Sequence, residues 1–381
     1  MELTFLHPLL DRPGPWASVV IDTSRTTEDA AKQAELRIRA AARDLARLGA
    51  DKRTVDAVTR HLAGEPPAGS PAARAVYATD GKVVLDLPLA CAPGAPLTAW
   101  AALPRLAPLL PLRADHPDVL LALIDRTGAD LELCDGHGRR PLASAQGPQW
   151  RGHRSVPTDR YEWHYQHRME DTWDRTAQVI ADEVARQHTA APECVVVLAG
   201  DARERHEVVR RLPHPLDADV TELPSGGRAP GGDHALDQEL EVVRARAEAD
   251  HMERALARLA AGRARDPETG HAVAPERGGR TAEGVPQVLR AARDRSLDTL
   301  LLGDSSGDAA RTVWTGPEAC QLAPGRSEAH ALGARYPVPA RADDALLRAA
   351  VALDADAITV PAGASGPIGG VGALLRWSQA A

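Results

Sequence analysis

The sequence has few aromatic residues, almost no lysine and no cysteine pair spaced to bind zinc. Its 381 residues include only seven Trp, four Tyr and one Phe, so its cores must be built from Ala, Leu and Val. The four cysteines, Cys91, Cys134, Cys194 and Cys320, lie far apart and form no Cys-x-x-Cys pair. This argues against a zinc site, and nothing in the sequence demands an oxidising compartment.

A long uninterrupted apolar run is also absent. The most apolar stretch, residues 101–112, is broken by Arg105 and by three prolines, so we do not expect it to span a membrane. The first residues, Met1-Glu2-Leu3, lack the basic start of a signal peptide. These features predict a cytoplasmic protein.

The charge of the chain is negative but uneven. The net charge of −8 argues against a protein that coats nucleic acids over its whole surface. By proposed domain, residues 1–113 carry +2, residues 114–233 carry −7 and the rest −3. The basic residues are nearly all Arg, whose guanidinium group binds phosphate in two places and stacks on bases. A local patch can therefore bind RNA although the whole chain is acidic.

The order of elements predicts an α/β fold in three domains, residues 1–113, 114–233 and 234–381. In the first, a buried strand at 17–22 precedes a helix with the capping pair Thr26 and Asp29. A second helix begins at Asp51, and Asp80-Gly81 predicts a hairpin turn. The proline-rich segment Pro88–Pro117 is interpreted as the linker.

The two later domains show the same alternation. In the middle domain we expect strands at 119–124, 129–134 and 193–199, a polar stretch without elements at 135–160, and a long helix at 166–188. The Gly/Pro-rich run 224–232 marks the second boundary. For the third domain the predicted elements are helices at 236–261, 282–293 and 343–352, and strands at 299–303, 312–314 and 357–360.

The segment from Trp150 to Trp173 is unusual, since five of the twelve aromatic residues fall in these 24 positions. Arginines and histidines are interleaved with them. Trp173 lies on the apolar stripe of the long helix and is predicted to be core, but the others lie in or beside a polar loop. Aromatic rings stack on unpaired bases and Arg binds phosphate, so the segment predicts RNA contact. The alternative is a small satellite core. The predicted RNA-binding residues are Trp150, Arg151, His153, Arg154, Arg160, Tyr161, Trp163 and His164.

Other chemistries find less support in the sequence. His153, His164 and His167 lack a further ligand of suitable spacing, which disfavours a metal site. The glycine-rich segment 366–372 lacks the Lys-Ser/Thr of a phosphate-binding loop. Asp125 and Asp130 could be metal-binding carboxylates of a nuclease, but they are interpreted as turn residues. We therefore expect no cofactor, no small-molecule substrate and no catalytic residue.

With these pieces in order, the chain resembles the archaeo-eukaryotic class-one release-factor and Pelota superfamily. Within it, the chain is most similar to the bacterial branch of Balon-like ribosome hibernation factors and its actinobacterial relatives. The resemblance is carried by the hairpin at 119–134, the loop and helix at 161–188, the strand Cys194-Val-Val-Val-Leu-Ala-Gly200 and the closing Ile368-Gly-Gly-Val-Gly-Ala-Leu-Leu-Arg-Trp377. It is specific in the middle and last domains and loose in the first.

The resemblance implies a release-factor-like fold. The middle domain should be ribonuclease-H-like, and the C-terminal domain should be an α/β sandwich akin to kink-turn-binding ribosomal proteins. The first domain would face the decoding centre, and the middle loop would face the peptidyl-transferase centre. The implied partners are the ribosome, through 16S and 23S rRNA, and elongation factor Tu. We expect a monomer.

The sequence departs from release factors where their Gly-Gly-Gln tip stands. The matching stretch reads Arg151-Gly-His-Arg-Ser-Val-Pro-Thr-Asp-Arg160, and Gln146 and Gln149 lack the paired glycines. Three hypotheses remain: a non-enzymatic hibernation factor in the A site, which is favoured; a hydrolase or endonuclease acting on peptidyl-tRNA of stalled ribosomes; and a non-ribosomal RNA-binding or interaction protein.

Overall fold

The structure is a computed structural model, and it describes most of the chain. The described residues are 3–10, 12–23, 30–64, 72–89, 91–113, 117–135, 138–148, 161–228, 233–262, 280–303, 307–361 and 364–377. For residues 30–31, 161–172, 218 and 233 only the backbone is described. The predicted capping pair at Thr26 and Asp29 lies outside the described residues.

The N-terminal part is an antiparallel sheet with two helices on one face. The sheet order is β3-β2-β1-β4. Two 3-10 helices, Thr4–Leu9 and Ala107–Leu112, flank this part. Its elements are β1 (Trp16–Asp22), α1 (Ala30–Arg47), α2 (Lys52–Ala63), β2 (Ala73–Thr79), β3 (Lys82–Leu89) and β4 (Leu97–Ala101).

Local sequence signals set the ends of these elements as predicted. Asp51 caps α2, since its carboxylate accepts a hydrogen bond from the backbone N–H of Thr54 at 2.9 Å. Asp80 and Gly81 have φ values of 47° and 71°. Positive φ at both central residues is the geometry of the tight turn that suits a two-residue hairpin, and β2 and β3 pair through it. The predicted hairpin is confirmed.

The proline-rich segment does not act as a simple linker, so that prediction is wrong. Residues 97–101 contain no proline, and they form β4, which pairs antiparallel with β1. Farther along, Pro108 stands in the first turn of the 3-10 helix Ala107–Leu112, where proline is tolerated, and Leu109 and Leu110 of this helix are buried. Prolines exclude regular helix, but the apolar residues between them still need a core.

The middle part is a five-stranded mixed sheet covered by helices on both faces. Its order is β7-β6-β5-β8-β9, antiparallel from β7 to β5 and parallel from β5 to β9. Helix α3 packs on one face and the first half of α6 on the other. The elements are β5 (Val119–Asp125), β6 (Gly128–Asp135), β7 (Gly138–Gln146), α3 (Tyr161–Ala190), β8 (Val195–Ala199), α4 (Ala202–Val209), α5 (Leu216–Asp219), β9 (Thr221–Leu223) and α6 (Asp233–Ala261).

Strand β7 was not predicted, because the stretch 135–160 was interpreted as free of elements. The strand lies at the edge of the sheet and pairs with β6 alone. Most of its side chains are exposed, and Ala145 is its only buried residue. An edge strand with so few buried side chains lacks the apolar alternation by which strands are recognised.

The C-terminal part is a four-stranded sheet between helices, with a smaller sheet beside it. The four strands lie in the order β10-β16-β11-β15, and the small sheet has the order β13-β12-β14. Helices α7 and α9 pack on one face of the larger sheet, and Ala255 and Leu259 of α6 pack on the other. Its elements are β10 (Thr281–Glu283), α7 (Val285–Arg293), β11 (Leu297–Gly303), β12 (Thr312–Thr315), β13 (Leu322–Ala323), α8 (Arg326–Ala331), β14 (Val338–Arg341), α9 (Ala342–Ala352), β15 (Asp356–Val360) and β16 (Val371–Leu375), with a 3-10 turn at Ile368–Gly370.

The N-terminal and C-terminal parts share one hydrophobic core. Trp16, Val20 and Tyr77, on the sheet face opposite α1 and α2, belong to the same buried cluster as Leu346 and Leu347 of α9. Accordingly, Met1–Ala114 and Met252–Ala381 form one compact unit, and Asp115–His251 form another. The boundary falls inside α6, and the division into three domains stays a prediction.

The fold class itself is confirmed: the chain is α/β with several separate sheets, one of them the mixed sheet expected for the middle domain. Within the described part of the chain, no helix is both long and apolar enough to cross a bilayer.

Candidate nucleic-acid interface

The predicted RNA-binding residues lie between β7 and the start of α3. Trp150, Arg151, His153, Arg154 and Arg160 fall outside the described residues. The other three, Tyr161, Trp163 and His164, belong to the first turn of α3, for which only the backbone is described. Their assignment to an RNA interface stays a prediction, which the structure can support only through the elements that hold the two ends of the segment.

The first end is fixed by Gly147. Its backbone N–H donates a hydrogen bond to the carbonyl oxygen of Thr127, at 2.9 Å, which extends the sheet beyond β7. A Cβ atom at this position would lie 2.0 Å from Oγ1 of Thr176, a buried residue of α3. Only glycine therefore allows the chain to leave the sheet so close to the helix.

The second end is the start of α3. At 1.5 Å per residue, the 30 residues of α3 are about 45 Å long. Its described packing on the sheet begins at half-buried Trp173 and continues through Ala177, Ile180 and Val184, so the predicted core role of Trp173 is confirmed. The chain leaves the sheet at Gly147, beside Thr176, and α3 begins at Tyr161. Along the helix axis Thr176 and Tyr161 are about 22 Å apart, and residues 149–160 connect the two ends.

A charged cluster stands at the carboxyl end of β5 in the same unit. Asp125 is the last residue of this strand, Asp130 lies on β6, and Arg228 reaches both from the loop after β9. The Nε atom of Arg228 donates to Asp130 at 2.9 Å, and its NH1 atom donates to Asp125 at 3.2 Å. Ser144 and Thr127 donate to the same two carboxylates. Both aspartates are therefore half-exposed members of an ion-pair cluster rather than simple solvated turn residues.

The environment keeps these carboxylates ionised. Burial alone would raise the pKa of Asp125, but hydrogen bonds from Thr127 and the charge of Arg228 lower it below its usual value. For Asp130, the hydrogen bond from Arg228 is the main cause of a lowered pKa. A carboxylate already bound to a guanidinium is a poor metal ligand and a poor general acid. Among the described residues, no group of three or more His, Cys, Asp or Glu side chains is placed to hold a metal ion.

Asp201 has a structural role at the same edge of the sheet. Its carboxylate accepts from the backbone N–H of Arg203 at 3.0 Å and so caps α4. The interpretation of Asp201 as a helix cap is confirmed.

Sequence reasoning missed two residues that shape this region. Arg228 stands in the Gly/Pro-rich run that was interpreted only as a boundary, and Gly147 stands in a stretch interpreted as polar loop. Nothing local marks either of them, because their partners are 98 to 103 residues away for Arg228 and on a different element for Gly147.

The middle of the chain is similar to a known protein family. Residues 118–265 match the model of bacterial archaeo-eukaryotic release factor family 2. Two uncharacterized proteins from two strains of Mycobacterium tuberculosis, Rv2629 and MT2704, are each 29% identical over 98% of this chain and 96% of their own length.

Solved structures of similar proteins cover most of the chain at low identity. The archaeal translation termination factor aRF1 is 16% identical over 97% of this chain and 96% of that chain, with a TM-score of 0.26. Dom34 of S. cerevisiae is 11% identical over 80% and 81%, with a TM-score of 0.36. Archaeal Pelota in a model with the ribosome and ABCE1 is 14% identical over 98% and 93%, with a TM-score of 0.37.

The similarity rests on the sequence match and not on these superpositions. Residues 118–265, which hold the mixed sheet, the anchored segment and the long helix, are similar to the bacterial archaeo-eukaryotic release factor family 2.

Proposed function

We propose that the protein is a cytoplasmic ribosome-binding hibernation factor, which occupies the A site under stress or in stationary phase without releasing the nascent peptide. One observation carries the proposal. A middle domain of the release-factor superfamily has, between β7 and α3, the segment Arg151–Arg160 in place of the Gly-Gly-Gln tip. A protein of this shape would fit the ribosome, but it lacks the glutamine of the tip that helps water attack the peptidyl-tRNA ester.

The charged cluster of Asp125, Asp130 and Arg228 supports the proposal that this domain does not cleave RNA with a metal ion. Asp125 lies at the carboxyl end of β5, where α/β sheets commonly hold their active sites, and Asp130 lies near it at the start of the antiparallel strand β6. Here Arg228 occupies both carboxylates. A metal-dependent cleavage of tRNA would require that this arginine be displaced.

The segment 149–160 is proposed to contact ribosomal RNA. It contains Arg151, Arg154 and Arg160 against the single carboxylate Asp159, so it is basic within an acidic domain. Arginines bind RNA phosphates, and the aromatic residues at its ends, Trp150 and Tyr161, are of the type that stacks on bases. The anchor at Gly147 and the long helix α3 would hold both ends of such a contact segment.

Elongation factor Tu is the protein partner that the family resemblance suggests, through the middle and C-terminal domains. This partner is tested by adding purified elongation factor Tu with GDP or GTP to ribosomes that carry the protein. Co-sedimentation that depends on the protein supports the partnership, and equal sedimentation with and without it rejects the partnership.

Occupancy of the A site is tested by competition. Ribosomes with initiator tRNA in the P site are incubated with the protein, either with an empty A site or with aminoacyl-tRNA delivered to it, and then sedimented. We expect binding to the empty site and loss of binding when tRNA fills it. Equal binding in both states would overturn the A-site proposal, and no binding in either would favour a non-ribosomal RNA-binding protein.

Catalytic silence is tested on the same ribosomes loaded with labelled peptidyl-tRNA. We expect neither release of peptide nor cleavage of tRNA over the time in which a release factor completes one turnover. Release or cleavage that is lost in His153→Ala, His164→Ala or Gln149→Ala would establish the alternative function, ribosome rescue by a hydrolase or endonuclease.

A further inference from the structure

The two faces of the N-terminal sheet are covered by different parts of the protein. Trp16, Val20 and Tyr77 point into the core shared with α9. On the opposite face, Val19 and Ile21 pack against Leu45 of α1 and Val58 of α2. The outer sides of α1 and α2 therefore form the solvent-facing side of this part of the protein.

Charge is concentrated on these two helices. Together α1 and α2 carry eight Lys or Arg residues and three carboxylates, whereas the rest of residues 1–113 carries six basic and nine acidic residues. Seven of the eight are exposed, and one of these, Arg53, lies 3.9 Å from Asp80 of the β2–β3 turn. We call the other six the basic helical face: Lys32, Arg39, Arg43, Arg47, Lys52 and Arg60.

The arginines of α1 are evenly spaced and held only by local contacts. Arg39, Arg43 and Arg47 follow one another at intervals of four residues, which is about 6 Å along the helix. Arg39 pairs with Glu35 one turn earlier, and Arg47 pairs with Asp44 at 3.0 Å. The Arg43 guanidinium donates to the carbonyl oxygen of Arg39 at 3.4 Å. Exposed pairs of this kind contribute only about 0.3–0.5 kcal/mol, so phosphate groups can displace them readily.

Arg37, by contrast, belongs to the fold. Its guanidinium pairs with Asp22 at 2.9 Å at the end of β1, and only about a quarter of either side chain is exposed. The separation of one inward-facing arginine from three outward-facing ones indicates that the outer charges are not needed to hold α1 on the sheet.

We propose that the basic helical face binds the phosphate backbone of structured RNA. The inference rests on the proposed function for the identity of that RNA, which would be ribosomal, but the surface itself can be tested without a ribosome. A row of guanidinium groups suits phosphates because each can form two parallel hydrogen bonds. In a chain with net charge −8, RNA must be attracted by a local concentration of positive charge such as this one.

The test uses the full chain and a fluorescein-labelled RNA hairpin, with affinity measured by anisotropy over a range of salt concentrations. The variant Arg39→Gln/Arg43→Gln/Arg47→Gln removes three charges from α1, and glutamine keeps helix propensity. The matched control is Arg203→Gln/Arg210→Gln/Arg246→Gln. It changes the net charge equally at three exposed arginines, two of which, Arg210 and Arg246, have similar local pairs.

We expect the α1 variant to lose at least tenfold in affinity at low salt. The slope of log affinity against log salt should become shallower by about two, since each phosphate contact contributes about 0.7–0.9. The control should change neither by more than the general effect of net charge. Equal loss in both variants, or no binding of RNA by the wild type, would overturn the proposal.

Two further arms separate the outcomes. Binding to anionic phosphatidylserine vesicles but not to the hairpin would make the face a membrane surface and reject RNA. Two exposed leucines, Leu36 on α1 and Leu48 directly after it, make this arm necessary. Sedimentation of both variants with ribosomes distinguishes the two proposals. Hairpin binding lost only in the α1 variant, without any ribosome binding by the wild type, would support the RNA surface and reject the proposed function.

Discussion

Arg105 and Asp344 are 239 residues apart in the sequence and form a buried ion pair. Arg105 stands before the 3-10 helix Ala107–Leu112, and Asp344 lies in the first turn of α9. The second carboxylate oxygen of Asp344 accepts from the backbone N–H of Leu106 at 2.9 Å. On the other side, the Tyr77 hydroxyl donates to the carbonyl oxygen of Arg105 at 3.0 Å. This network joins the N-terminal sheet to the C-terminal helix inside their common core.

Removing the cation should destabilise this joint strongly. Arg105→Met would leave Asp343 and Asp344 buried without their partner from the N-terminal part, and loss of one partner of a buried pair costs about 3–5 kcal/mol. Urea unfolding should show this loss in the unit that contains both residues. In Arg105→Met/Asp344→Leu much of the loss should return, because the unpaired charge of Asp344 is removed and Asp343 keeps its pair with Arg341. A single variant as stable as the wild type would show that the pair does not hold the two parts together.

The same site should respond to pH. Burial, reinforced by the neighbouring Asp343, raises the pKa of Asp344 from 3.8 to about 6. The folded protein then binds this proton more tightly than the unfolded chain, so the contribution of Asp344 to stability falls as pH rises from about 4 to about 6. We expect the free energy of unfolding of the wild type, minus that of Asp344→Asn, to decrease over this window.

The subtraction is needed because other carboxyl groups act in the opposite direction. The pKa of Asp130 is lowered by its hydrogen bond from Arg228, and that of Glu207 by its hydrogen bond from Arg211. Their stabilising contributions are lost as pH falls through the folded-state values. A difference curve that is flat between pH 4 and 6 would mean that Asp344 titrates normally.

Gly147 should tolerate no side chain. In Gly147→Ala the new methyl group meets Thr176 Oγ1 at 2.0 Å, and overpacking of this kind costs about 1–3 kcal/mol. Gly227→Ala is the matched control, since no atom lies within 4 Å of its Cβ position. Urea unfolding should separate the two, and Thr176→Ala should restore part of the loss. If both glycine variants unfold alike, the close approach of the segment to α3 is not needed.

The aromatic residues at the start of α3 should contribute to ribosome affinity. Tyr161→Ala/Trp163→Ala should weaken binding by one to several factors of ten, because a base stack contributes about 1–3 kcal/mol. Trp173→Ala is the structural control: it should lower the free energy of unfolding by about 3 kcal/mol, since Trp173 packs on the sheet. A folded double variant that sediments with ribosomes as well as the wild type would make this segment a satellite core.

The arginines of the segment should act through charge. Arg151→Ala/Arg154→Ala should reduce ribosome affinity more at low salt than at high salt, because phosphate contacts release counterions. The measurement is the slope of log affinity against log salt, which should become shallower by about one to two. An equal loss at every salt concentration would indicate that these arginines support the structure of the segment instead.

Several features of the fold could be predicted from local sequence because their causes are local. Asp51 and Asp201 cap helices whose amides lie two or three residues away, and Asp80-Gly81 specifies its turn through its own φ angles. Buried strands such as β5 and β8 are visible as apolar runs. Strand β7 was missed because most of its side chains are exposed, so that it shows no apolar run or alternation.

Some features of the candidate site could likewise be predicted from the sequence, and others could not. The missing Gly-Gly-Gln and the concentration of aromatic and basic residues at 150–167 are properties of the sequence alone, as is the family resemblance. The pairing of Arg228 with Asp125 and Asp130 could not be foreseen, because ion pairs depend on distance in space and not on spacing along the chain.

The sequence by itself determined the α/β class, most helices and strands, and the segment on which the proposed function depends. Only the tertiary structure decided that the first and last parts of the chain share one core, with Arg105 paired to Asp344, and that α1 and α2 are left as an exposed basic face. The reason is physical. An apolar strand must be buried and an arginine is commonly paired, and both needs can be read from the sequence. Which distant residues cover the strand or pair with the arginine depends on how the sheets pack.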